Sequence, residues 1–147
     1  MSHSRIIQIS RNRVNKDDRV KASDLNVEML RSKIECFDYV VDSDDTREND
    51  LDWFKNELKK VGFSISGDEV ITGTSTQFLS HWKEAGVKAS EKLNLWKLRT
   101  IASGVYFSAF YILDEDHDFP VPLWRWAKDI LGTNKKSYIG GIIDYHI

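Results

Sequence analysis

Apolar side chains alternate with polar ones near both ends of the chain and recur at helical spacing between them. Arg5 to Ser10 reads as a strand with Ile7 and Ile9 on one face and Ile6 and Gln8 on the other. Tyr138 to Ile147 reads as another, in which Ile143, Tyr145 and Ile147 alternate with Asp144 and His146. Inside it, Gly140-Gly141 marks a bulge or a close backbone approach. Phe63 to Ser66 and Glu69 to Thr72 flank Gly67-Asp68, a pair suited to the positive φ angles of a tight hairpin. Val105 to Leu113, rich in Val, Tyr, Phe and Ile, predicts a largely buried central strand.

Four or five segments carry the helical period. Leu51, Phe54, Leu58 and Val61 form one stripe over Asp50 to Val61, with Asn49 placed to cap that helix and Gly62 to stop it. Ser23 or Asp24 is placed to cap a short helix through Leu30, and Ile34, Phe37 and Val41 recur at the spacing of a second. From Thr76 onward Phe78, Trp82, Ala85, Ala89, Leu93 and Trp96 line one face of a long helix, which Gly86 could divide in two. Pro122 opens a last helix with Leu123, Trp126, Ala127, Ile130 and Leu131 on its inner face, Trp124 at the rim, and Gly132 as its stop.

Strand-like and helical segments do not alternate regularly. The pattern predicts an α+β fold: an antiparallel or mixed sheet of about five strands with four or five helices packed mainly on one face. At 147 residues the chain has the size of one domain, and residues 1–147 are expected to form it.

Composition narrows the class. Hydrophobic residues make up 41% and charged residues 30%, a globular rather than a disordered balance. The single cysteine, Cys36, allows no intramolecular disulfide; between Ile34 and Phe37 it reads as a small buried hydrophobe. No stretch is long and apolar enough for a membrane span and no secretory leader is evident, so a cytoplasmic location is expected.

The net charge of −2 conceals segregation. Met1 to Lys33 carries eight basic residues against four acids, whereas Ile34 to Glu57 carries nine acids against Arg47 and Lys55. Within that acidic belt Asp38, Asp42, Asp44, Asp45, Glu48, Asp50 and Asp52 are candidate contacts for a basic protein partner. Trp124 and Arg125 are candidate anchors for a partner or for self-association, since Trp and Arg dominate many interfaces.

Candidate chemistry is sparse. Asp114, Asp116, His117 and Asp118 crowd hard oxygen and imidazole ligands into one turn after a strand, as a divalent metal site would, but the glycine and glutamate of a calcium loop are missing. A carboxylate from Asp42 to Asp45 could complete a two-carboxylate hydrolase or nuclease site if the clusters met. Cys36 has no catalytic signature around it, His81 reads as a boundary residue, and His3 and His146, near the two ends of the chain, are not catalytic candidates. Gly73-Thr74-Ser75-Thr76 lacks the spacing of a phosphate-binding loop, and no nucleotide or nucleophile-elbow motif occurs. Lys83, Lys88, Lys92, Lys97 and Arg99 could follow a phosphate backbone, but the helical register turns Trp82 and Trp96 toward the core, which weakens a nucleic-acid reading. The leading expectation is therefore a non-enzymatic protein-binding module, an inhibitor, adaptor or immunity-type factor working through an acidic surface without a cofactor.

Overall fold

The computed structural model describes residues 3–71, 75–91, 93–103, 108–130, 133 and 136–147. Its strands are β1 (His3–Ser10), β2 (Tyr39–Asp42), β3 (Ser64–Ser66), β4 (Glu69–Ile71), β5 (Tyr111–Leu113), β6 (Val121–Pro122) and β7 (Ser137–His146). Its helices are α1 (Val27–Lys33), α2 (Arg47–Lys60), α3 (Ser75–Ser90), α4 (Leu95–Ser103) and α5 (Leu123–Ile130). The fold is α+β with a mixed sheet, as the sequence predicts, but among the described residues the sheet has seven strands rather than about five.

The two terminal strands form its centre. β1 runs antiparallel to β7 from His3↔His146 to Ser10↔Tyr138 and parallel to β5 on its other side. The far edge of β7 is shared: β4 pairs with it at Ser137 and Tyr138, and β2 at Ile143 to His146. Beyond β4 lies β3, and beyond β5 lies β6. Ile7 pairs with Ile142 but Ile9 with Ile139, so two steps along β1 match three along β7. That is the bulge expected at Gly140-Gly141. A Cβ on Gly141 would lie 2.3 Å from the Val20 carbonyl oxygen, and one on Gly140 2.3 Å from Gln8 Oε1, so no larger residue fits without displacing a neighbour. Gln8 Oε1 fills the gap by accepting from the N–H groups of Val20, at 2.9 Å, and Gly141, at 2.7 Å.

Alternation along the central strands gives both sheet faces an apolar surface, and each has its own helices. On one face Ile7, Ile9, Ile112, Ile139 and Ile142 pack with Phe54 and Leu58 of α2, Phe78 of α3, and Trp126 and Ala127 of α5. On the other, Ile6, Tyr111, Ile143 and Tyr145 meet Leu30 of α1 and Ile34. Three helices therefore pack on one face and α1 covers the other, so the helices are not confined to a single face.

Local signals held where they were strong. Gly67, at φ +64°, turns the β3–β4 hairpin, and Gly62, at φ +83°, ends α2 after Phe54, Leu58 and Val61 have been buried. Elsewhere the boundaries move. Asn26, not Ser23 or Asp24, caps α1, its Oδ1 accepting the Met29 N–H at 3.1 Å. The helix expected over Ile34, Phe37 and Val41 is absent, because α1 ends at Ile34 and Cys36 takes φ +58°, which no helix accommodates. The chain then enters β2. The long helix divides not at Gly86 but after Ser90, and Asn94 starts α4 by accepting the Lys97 N–H at 2.8 Å. Val105 to Phe107, Leu131 and Gly132 lie outside the described residues.

Candidate functional site

Strand register alone gathers charged side chains at one end of the sheet. In an antiparallel pair, directly opposed residues share a face, as do residues two apart on one strand. His3 opposes His146, Arg5 opposes Asp144, and across β7 Tyr39 opposes His146 and Val41 opposes Asp144. All six therefore project from the face that α2 covers. At this end α2 brings Asp50 and Trp53 over the strands rather than aliphatic side chains.

Arg5 is the hub. Its guanidinium is buried, with Nε 3.0 Å from Asp50 Oδ1 and Nη1 3.0 Å from Asp144 Oδ1. The Nε contact is an ion pair in which the N–H is not aimed at the carboxylate. Nη1 also lies 3.1 Å from His3 Nδ1, and Trp53 covers the guanidinium with its ring centroid 5.4 Å from Cζ. Asp50 is fixed in turn by the Thr46 hydroxyl, which donates to Oδ2 at 2.9 Å. Asp144 Oδ1 is also 3.3 Å from both His3 Nδ1 and His146 Nε2. The His146 ring lies between Tyr39, stacked at 4.3 Å, and His3, stacked at 5.3 Å.

The acidic belt surrounds this hub, with one exception. Asp38, Asp42, Asp45, Glu48 and Asp52 are exposed, and Asp44 lies in the 3-10 turn Asp44–Thr46 between β2 and α2. Asp50 is 3% exposed and serves Arg5, so it faces the interior rather than a partner. Asp42 accepts the Ala22 N–H at 2.7 Å while remaining at the surface. Among these acids stand three partly exposed apolar side chains: Tyr39 at 42%, Val41 at 41% and Trp53 at 38%.

The second acidic cluster sits elsewhere. Asp114 to Asp118 follow β5, separated from β2 by β1 and β7. Three strand spacings set β2 about 14 Å from β5 across the sheet, and Asp42, which accepts from Ala22, and Asp45 are exposed on the β2 side. Within the turn, Asp114 Oδ1 is 2.8 Å from His117 Nδ1, Asp116 is paired with Arg11, and Glu115 accepts from Ser10 Oγ. Asp118 is exposed. These side chains hold one another and Arg11 around a pocket of about 120 Å³, and their ligand atoms do not converge on one point.

Trp124 is buried against Phe78 rather than at a rim, because both indoles of Trp124-Arg125-Trp126 enter the core, leaving Arg125 exposed. Cys36 is exposed rather than buried, at the turn where its positive φ sends the chain away from α1. Trp82 and Trp96, expected to face the core, are 43% and 59% exposed; only Phe78 and Ala85 of that stripe reach it among the residues whose side chains are described. α3 ends at Ser90 and a separate helix begins at Leu95, so no single helix carries the stripe from Phe78 to Trp96. No described helix is long and apolar enough to cross a membrane.

Sequence reasoning set aside the residues that form the most connected polar site. His3-x-Arg5 and Asp144-x-His146 each carry the i, i+2 spacing that puts two side chains on one strand face, which was the available signal. Compared with known proteins, the chain matches no family model, no curated protein and no solved structure.

Proposed function

We propose that this protein is a non-enzymatic binding module, acting in a reducing cytoplasmic setting, whose docking surface is the acidic, aromatic edge formed by β2 and the start of α2. Its partner is a protein presenting a basic, extended segment. The observation that carries the reading is the grouping of Tyr39, Val41 and Trp53, all partly exposed, among Asp38, Asp42, Asp45, Glu48 and Asp52. Aromatic anchors inside a charged rim are the usual anatomy of an energetic interface. Among the described strands β2 pairs only with β7, so its other edge carries no described strand, the arrangement to which an extended segment could add. Arg5 and Asp50, locked behind this surface, keep it from rearranging on contact.

The test is capture of interacting proteins by the full chain and by two variants. Tyr39→Ala with Trp53→Ala is expected to weaken a basic partner by roughly 30-fold, and Asp42→Lys with Asp45→Lys to slow its association and remove its salt dependence. A captured protein bound equally well by both variants would overturn this assignment of the surface.

One observation favours a second reading. Exposed Trp82 and Trp96 accompany Lys83, Lys88 and Arg99 on α3 and α4, the combination of stacking rings and cations on which single-stranded nucleic acid is held. It predicts a salt-sensitive gel shift that Lys88→Glu with Trp96→Ala abolishes; no shift at about 50 mM salt would remove it.

A further inference from the structure

We infer that His3, Asp144 and His146 form a binding site for a borderline transition-metal dication of the zinc class. A ring nitrogen of His3, a ring nitrogen of His146 and a carboxylate oxygen of Asp144 all lie within 4.8 Å of one another, the one such trio among the described residues. Two of the three separations are 3.3 Å. Tetrahedral zinc, with Zn–N and Zn–O bonds near 2.0–2.2 Å, holds its ligand atoms about 3.3–3.4 Å apart, so these donors already stand close to ligand spacing.

The backbone explains why. His3 and His146 are directly opposed across the β1–β7 ladder, and Asp144 lies two residues before His146 on the same face. The stack of Tyr39 on His146 fixes the plane of that imidazole, and the His3 ring lies nearly parallel to it, at 16°. Two imidazoles with one carboxylate suit zinc, nickel or copper rather than magnesium or calcium, which favour all-oxygen sets. Three protein ligands leave a fourth position open, on the side where His3 is half exposed.

Arg5 is the apparent obstacle, and Asp50 removes it. With both imidazoles neutral, Arg5, Asp50 and Asp144 together carry one net negative charge, so a dication enters a favourable field. Without a metal the hydrogen bonds conflict. If His3 Nδ1 accepts from Arg5, its lone pair faces the Asp144 carboxylate at 3.3 Å; if it is protonated, it faces the Arg5 N–H at 3.1 Å. A cation takes the lone pairs of His3 and Asp144 together. Arg5, anchored on Asp50, gives up its contact with His3 and keeps its bond to Asp144 as an outer-sphere partner that orients the ligand.

Calorimetric titration of the tag-free full chain with Zn²⁺, and absorption spectra with Co²⁺, test the site. One equivalent is expected to bind, with the intense visible bands of four-coordinate cobalt. His3→Ala and His146→Ala should each weaken binding roughly tenfold or more, and His117→Ala, in the separate acidic turn, should leave it unchanged. His3 is half exposed, so His3→Ala keeps the fold even if variants of Asp144 do not, and circular dichroism checks this. No bound zinc, or zinc lost on His117→Ala but retained on His3→Ala, overturns the inference.

Discussion

Asp50→Ala is expected to lower stability by about 3 kcal/mol and the melting temperature by on the order of 10 °C, although Asp50 lies in a surface helix of an acidic protein. The loss does not come from surface charge. The Arg5 side chain is 8% exposed and that of Asp50 4%, so removing the carboxylate strands a guanidinium away from water with Asp144 as its only remaining anion among the described residues. Breaking one partner of a buried pair costs more than the pair itself contributes. Arg5→Met combined with Asp50→Leu should therefore be less damaging than Asp50→Ala alone, since the buried guanidinium is removed together with its carboxylate and Asp144, the less buried anion at 16% exposure, keeps His3 and His146 beside it. Denaturant unfolding of the three proteins decides the matter: a single variant within 1 kcal/mol of the parent, or a double variant worse than the single, would show that this network does not hold the sheet end together.

That network also shows how far the sequence could be read. The hairpin at Gly67-Asp68, the stripe of α2 and the alternation of β1 and β7 were legible because each is encoded within about ten residues. β2 was not. Ile34, Phe37 and Val41 fit a helical period, and what defeats it is a single residue, Cys36, at positive φ, together with pairing to a strand about a hundred residues away. The bulge at Gly140-Gly141 was legible as a glycine pair, but its partner, the Gln8 amide, was not. Asp50 scored as one acid in a belt of acids, and only the packing of α2 across β1 turns it inward. Likewise His3 and His146 stand at opposite ends of the chain, and the β1–β7 register that opposes them is a non-local fact. Periodicity reports which face a residue occupies and is silent on what stands across from it.

The opposite face of the sheet predicts a second large effect, an alkaline loss of stability between pH 10 and 12. Tyr111 and Tyr145 meet edge-on there with ring centroids 5.7 Å apart, both buried. Burial, reinforced by the charge of Glu35, pushes the Tyr111 phenol up to about 12. Burial, reinforced by Tyr111, raises that of Tyr145 as well, and its hydroxyl donates to the Ala109 carbonyl. Below pH 10 both phenols are protonated whether the chain is folded or unfolded, and stability does not depend on them. Above pH 10 the unfolded chain releases these protons while the folded one keeps them, so stability falls as pH rises through the window. Each tyrosine should contribute about 2 kcal/mol to the fall, a large share of the 5–15 kcal/mol that a domain of this kind possesses. Urea midpoints measured at pH 9, 10, 11 and 12 should decline steeply for the parent and less for Tyr111→Phe with Tyr145→Phe. The double variant starts lower at pH 9, because the bond to Ala109 is gone, and the two curves converge as pH rises. Parallel curves would mean that the phenols ionise as readily in the folded protein as outside it, and that this second core admits water.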